Sequence, residues 1–224
     1  MDNLLEECLA VDFEEESHTY LYNGETNKST KPGTKESTKQ GTMDRTMQRT
    51  KVLPSVTQII SAKGYGADYS NIPQKVLARA SEIGIEVHKK VEDFYAKGLD
   101  PVSQDQSANG YLTGFREFAS LGLFTPVHTE VRLMHPEYWY AGTIDLCGYL
   151  HGEPAILDVK TTNKLHLETV GLQIAAYELL VTRATGVDIE HRAALHLRKD
   201  GTWALESLRN PLDTGKFLSL LEAD

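Results

Sequence analysis

Apolar residues recur at helical spacing through Val76, Leu77, Ala80, Ile83, Val87, Val91 and Phe94, which predicts a helix over 72–97 stopped by Gly98. A second helix is predicted over about 107–121. The pattern then changes to shorter apolar runs suited to strands, at about 126–134, 140–149 and 155–160, with the turn His151-Gly152-Glu153-Pro154 between the last two. Helical spacing returns over 165–184 and ends at Gly186. Two more strands, near 193–198 and 202–208, flank the hairpin signal Lys199-Asp200-Gly201, and a short helix closes the chain. Helices, three strands, a helix and further strands, in that order, predict an α/β domain with a mixed central sheet flanked by helices.

Upstream the pattern is different. Residues 17–23 read as a short strand that ends at the turn signal Asn23-Gly24. From about Asn27 to Lys51, Thr recurs every four residues (Thr30, Thr34, Thr38, Thr42, Thr46, Thr50), and apart from Met43 and Met47 nothing there can be buried. Such a segment cannot offset its ordering entropy and is expected to be disordered. The chain thus divides into an N-terminal hairpin region (1–26), a Thr/Lys-rich insertion (27–51) and a folded domain (52–224). Seven basic and two acidic residues give the insertion a charge of +5 and leave −14 for the remainder. It reads either as a spacer in a surface loop or as a basic arm that touches phosphates.

Charge and composition change this picture little. A net charge of −9 argues against simple phosphate affinity, yet where charges sit decides binding, and a site that uses cations must itself carry carboxylates. Cys8 and Cys147 are too few for a disulfide framework, a zinc site or a four-cysteine iron–sulfur cluster. No secretory or mitochondrial leader pattern opens the chain, and no apolar run approaches the ~20 residues of a membrane span. The expectation is a cytoplasmic protein, of a bacterium or a phage-infected cell, with no membrane partner.

The candidate chemistry lies in four short motifs. Gly142-Thr143-Ile144-Asp145 precedes Asp158-Val159-Lys160-Thr161 by one hairpin, and alternation puts Asp158 and Lys160 on one strand face. Asp145 and Asp158 can then converge on a hard cation such as Mg²⁺ or Mn²⁺, with Lys160 beside it as a point charge. The plainer alternative is a solvated Asp–Lys pair. His88, in Gly84-Ile85-Glu86-Val87-His88, is either a structural histidine or a ligand. Gln173 and Tyr177 share one helix face, either as an ordinary surface Gln and core Tyr or as part of a site.

Taken in order, Gly-x-x-x-His, Gly-x-x-Asp, Asp-x-Lys-Thr and Gln-x-x-x-Tyr resemble the RecB-like PD-(D/E)XK nucleases over about Leu53–Leu208. Leu53-Pro54-Ser55-Val56-Thr57 also resembles the opening of phage-encoded members and of relatives of the mitochondrial genome-maintenance exonuclease. The resemblance implies a restriction-endonuclease-like core and a metal-dependent deoxyribonuclease, of exonuclease type, acting in recombination, repair or replication. It makes His88, Asp145, Asp158 and the Val159 carbonyl metal ligands and Lys160 the catalytic lysine. Gln173 and Tyr177 would flank the DNA. Glu130 is a further acidic candidate, in competition with Glu86 and Glu92. The cofactor would be Mg²⁺ or Mn²⁺ without an iron–sulfur cluster, since the cluster cysteines of some relatives are missing. The partners would be DNA ends or single strands, together with a recombinase or single-strand-binding protein.

Two other readings stand beside this one. The same fold can serve as a non-catalytic DNA-end-binding module, recognisable by tight binding without turnover. An acid/base hydrolase could use Asp145 and Asp158 as a carboxylate pair, but it leaves His88 and Lys160 without a task.

Overall fold

The computed structural model describes residues 11–14, 17, 19–22 and 51–222. The turn signal Asn23-Gly24 and the Thr/Lys-rich segment up to Thr50 lie outside the described residues, as does Cys8. Lys51, the last residue of that segment, is in a strand.

A small antiparallel sheet comes first, from β1 (Asp12–Glu14), β2 (Thr19–Tyr22) and β3 (Lys51–Leu53), in the order β1-β2-β3. Tyr22 pairs with Lys51, so the two ends of the intervening span are ladder neighbours. Helix α1 (Val56–Ala62) follows at once; the sequence pattern does not single it out. Its signal is local and polar: Ser55 and Gln58 form a reciprocal capping box, in which the Ser55 side chain accepts from the Gln58 N–H and the Gln58 side chain accepts from the Ser55 N–H.

The main body is a five-stranded sheet, β4 (Phe124–Met134), β5 (Ala141–Leu150), β6 (Glu153–Lys160), β7 (His191–Leu197) and β8 (Trp203–Ser207), lying in sequence order. Three of its pairings are antiparallel. The β6–β7 pairing is parallel, so the chain must cross over between them, and helix α4 (Leu167–Thr185) makes that connection. This is the α/β fold with a mixed sheet that the periodicities predict.

Two apolar layers cover the sheet. Helices α1, α4 and α5 (Leu212–Glu222) share one core with Leu133, Ile144, Ile156 and Ala194. Helices α2 (Gln74–Lys97) and α3 (Gln106–Ser120) share the other with Leu146, Leu157, Val159 and Leu195. Cys147 is fully buried in the interior strand β5, between His128 of β4 and Ile156 of β6. Among the described residues no helix is long and apolar enough to cross a membrane.

One expectation needs correction. Helical spacing assigns Val76 and Ala80 to the core, but Val76 is 54% exposed and only Val87 and Val91 of α2 are buried. Over the first two turns of α2 only Leu77 is even partly covered, and packing against the core begins at Ile83. Pro73 sets the start of this helix and Gly98, at φ +67, its end.

Candidate metal and hydrolytic site

The site forms where the sheet's regular geometry gives way. Thr129 pairs with Leu146 and Val131 with Ile144, which places Glu130 and Asp145 opposite one another without being paired. Glu130 has φ +50, the left-handed region that a non-glycine residue rarely enters. On β5, Ile144 packs into the α4-side core and Leu146, two residues on, into the α2-side core, so alternation breaks at Asp145. The β5–β6 pairing also stops at Leu146–Leu157, leaving Asp145 and Asp158 beyond the ladder.

His88 of α2 reaches this break. Its Nδ1 lies 3.5 Å from Asp145 Oδ1 and 3.7 Å from Glu130 Oε1. Ligand atoms of His88, Glu130 and Asp145 all fall within 4.8 Å of one another. Their side chains retain 31%, 28% and 11% of their surface, so the cluster is open to small solutes. Burial alone would pull the imidazole pKa down, but the Asp145 and Glu130 carboxylates outweigh it and raise it to about 10. Burial works against the Asp145 charge as well, yet His88, Lys160 and the Val159 N–H hold its carboxyl below the usual range. The Val159 N–H donates to Asp145 Oδ2 at 2.7 Å and so ties β6 to β5.

On the α4 side of β6 a second polar group adjoins the first. Lys160 Nζ lies 2.7 Å from Asp158 Oδ2, an ion pair without an aligned hydrogen bond. Nζ also donates to Gln173 Oε1 at 3.1 Å. The Gln173 amide in turn donates to Asp158 Oδ1 (3.2 Å) and to Tyr177 Oη (2.9 Å). Asp158 is 2% exposed, and burial, with the neighbouring Asp145 charge, lifts its carboxyl to about 6 against the pull of Lys160. The Lys160 ammonium is disfavoured by burial but held up by Asp158 and Asp145, which leaves its pKa raised. Tyr177 packs on Gly142, where an added Cβ would sit 2.7 Å from its ring.

The structure thus brings His88, Asp145 and Glu130 into one group, and Asp158, Lys160, Gln173 and Tyr177 into an adjoining one. Asp158 is not among the three convergent donors. Glu86 accepts from Ser103 Oγ at 2.7 Å and Glu92 pairs with Lys89 at 2.8 Å, so both competing glutamates are engaged elsewhere. Glu130 could have been singled out by counting antiparallel register back from Asp145. The left-handed turn that aims it has no signature in the sequence. Tyr20 of the small sheet shares a 2.8 Å hydrogen bond with Thr143, a link that no sequence motif announces.

No family model matches the chain, and no curated protein matches it. Among solved structures, a "putative exonuclease" from Eubacterium rectale is similar, with 14% identity and a TM-score of 0.46 over 75% of this chain and 70% of that one.

Proposed function

We propose that this chain is a divalent-metal-dependent nuclease of the PD-(D/E)XK type that hydrolyses phosphodiester bonds of DNA at ends or in single strands. The convergence of His88, Glu130 and Asp145 within 4.8 Å, against a buried Asp158–Lys160 pair, is the observation that carries this reading. Ligands on opposite sides of an ion with bonds of about 2.1 Å lie about 4.2 Å apart, and His88 Nδ1 stands 3.5 and 3.7 Å from the Asp145 and Glu130 oxygens, inside that reach. The two carboxylates suit Mg²⁺ or Mn²⁺, and the imidazole favours Mn²⁺ of the two. When bound, such a cation polarises a phosphate oxygen and activates the attacking water.

The chain's own residues then divide the work. His88, Glu130 and Asp145 would hold the cation, with Asp158 as a further carboxylate if its Oδ2 were released from the 2.7 Å pair with Lys160. Lys160 sets a positive charge beside the reacting phosphate and offsets the negative charge that develops there. Gln173 accepts one Lys160 hydrogen and fixes the direction of the ammonium, and Tyr177 fixes Gln173. Because both are buried, these two are positioning residues, and any contact with DNA is confined to the little surface they expose.

The test is a cleavage assay on end-labelled single- and double-stranded linear DNA and on covalently closed circles, each with Mg²⁺, Mn²⁺ or EDTA. The expected result is metal-dependent loss of linear DNA, with Lys160→Ala slower by at least about a hundredfold. Cutting of the circles would make the enzyme an endonuclease. Full metal-dependent cleavage by Asp145→Asn would sink the site assignment.

A further inference from the structure

Beyond Lys160 the chain turns along a cavity of about 220 Å³ lined by Tyr111, Thr162, Asn163, Arg198, Lys199 and Asp200. Its walls are built rather than incidental. His196 Nε2 donates to the Thr162 carbonyl at 2.6 Å and so fixes the segment that follows the catalytic strand. The opposite wall is the β7–β8 turn, closed by the Gly201 N–H on Arg198 O at 3.1 Å and the Arg198 N–H on Thr202 O at 2.9 Å. That turn is pressed onto α3 where two glycines remove the side chains. A Cβ on Gly110 would lie 1.9 Å from Lys199 O, and one on Gly114 would lie 2.9 Å from Thr202 O. The backbone that carries Arg198 and Lys199 is therefore seated on a helix.

The charges in this cavity are unequal. Asp200 turns one carboxylate oxygen into the turn, where it accepts from the Thr202 N–H at 3.0 Å and the Thr202 hydroxyl at 2.7 Å. Arg198 makes one long bond, 3.4 Å, to Thr202 Oγ1. The lining thus combines Arg198 and Lys199 with the single carboxylate of Asp200, the Asn163 amide and the hydroxyls of Thr162 and Tyr111, a net positive set around a space that a phosphate group can fill. Lys160 pairs with His196 in the parallel ladder, and Thr162 and Arg198 each lie two residues further on, about 7 Å along a strand.

We propose that this cavity is a phosphate subsite, holding a backbone phosphate of the substrate strand next to the one at the candidate metal site. Arg198 and Lys199 carry the charge, and Thr162 and Asn163 supply hydrogen bonds. Phosphate contacts of this kind fix register without reading sequence. The proposal rests on the nuclease reading above for its substrate, but its test does not need turnover.

The experiment measures anisotropy of a fluorescein-labelled single-stranded oligothymidylate of about 12 nucleotides in EDTA and in Ca²⁺, from low to moderate salt. Wild type is compared with the surface variant R198Q/K199Q, with Mn²⁺ affinity measured alongside. The expected result is about tenfold weaker oligonucleotide binding by the variant, a salt slope smaller by about 1, and unchanged Mn²⁺ affinity. Equal affinity and slope in the two proteins overturn the subsite, as does a wild type that binds no oligonucleotide. A variant-sensitive affinity in a wild type that cleaves nothing keeps the subsite and removes the nuclease reading.

Discussion

Glu130 holds a left-handed backbone in mid-strand, at a cost of order 1 kcal/mol, and its carboxylate is what the arrangement gains. Glu130→Asn separates the two effects, because Asn tolerates this conformation but offers no carboxylate. The variant should unfold at equal or higher denaturant, by up to about 1 kcal/mol, and should lose most of its Mn²⁺ affinity. A clear loss of stability would mean that the conformation is not strained. A different residue makes its own contribution to acid sensitivity. His135 Nδ1 accepts from the backbone N–H groups of Glu137 and Tyr138 at 3.4 and 3.3 Å, so the proton of the neutral ring is on Nε2. Burial, aided by Arg183 and opposed by Glu137, lowers its pKa. A histidine whose folded pKa is depressed stabilises above the unfolded value of about 6.5, and that stability is lost as pH falls through the folded value. Urea titrations from about pH 8 to 5 should show wild type losing more stability than His135→Asn, whose amide oxygen can accept the same bonds without titrating. Equal pH slopes would assign the acid sensitivity to another group.

At the scale of elements, legibility followed the length of the periodic signal. Helices α2, α3 and α4 and the five strands of the main sheet lie within a few residues of their predicted spans, because each repeats its period several times. Helix α1 has 7 residues, too few for a stripe to emerge, and is announced only by the Ser55–Gln58 box. The candidate site was legible where it lies in local motifs: His88, Asp145, Asp158 and Lys160 all lie at the junction of the two polar groups. The grouping within the junction was not legible. Alternation and a hairpin suggest that Asp145 converges with Asp158, whereas Glu130 lies with Asp145 and His88 because register and a local backbone turn act together. Glycines in α3 carry a further element-level message. Gly110→Ala would drive a methyl group into the Lys199 carbonyl, so α3 and the β7–β8 turn must separate. The expected loss is about 1–3 kcal/mol in chemical denaturation, and weaker oligonucleotide binding should accompany it. A neutral effect would show that the turn can move without cost.

Across the whole molecule, the long span between β2 and β3 is topologically a hairpin loop. Since Tyr22 and Lys51 are ladder partners, residues 23–50 can be replaced by a four-residue turn without moving either strand. Loop closure then favours the shortened protein by about 2 kcal/mol, visible as a higher denaturation midpoint. If the span is a basic arm, the same deletion flattens the salt dependence of DNA binding, and an unchanged slope makes it a spacer.

Cys147 gives the molecule a clock. Its thiol is buried in the interior strand β5, two residues from Asp145, and burial with that neighbouring charge pushes its pKa up to about 12. Only a thiolate reacts quickly with alkylating reagents, so in a Cys8→Ser background labelling of Cys147 times how often the sheet opens. An ion held by His88, Glu130 and Asp145 would join α2, β4 and β5, so openings that part β4 from β5 around Cys147 would compete with it. Mn²⁺ at ten times its dissociation constant should therefore slow alkylation about tenfold, with no nucleic acid present. A labelling rate indifferent to Mn²⁺ would show that the sheet opens without disturbing that ion.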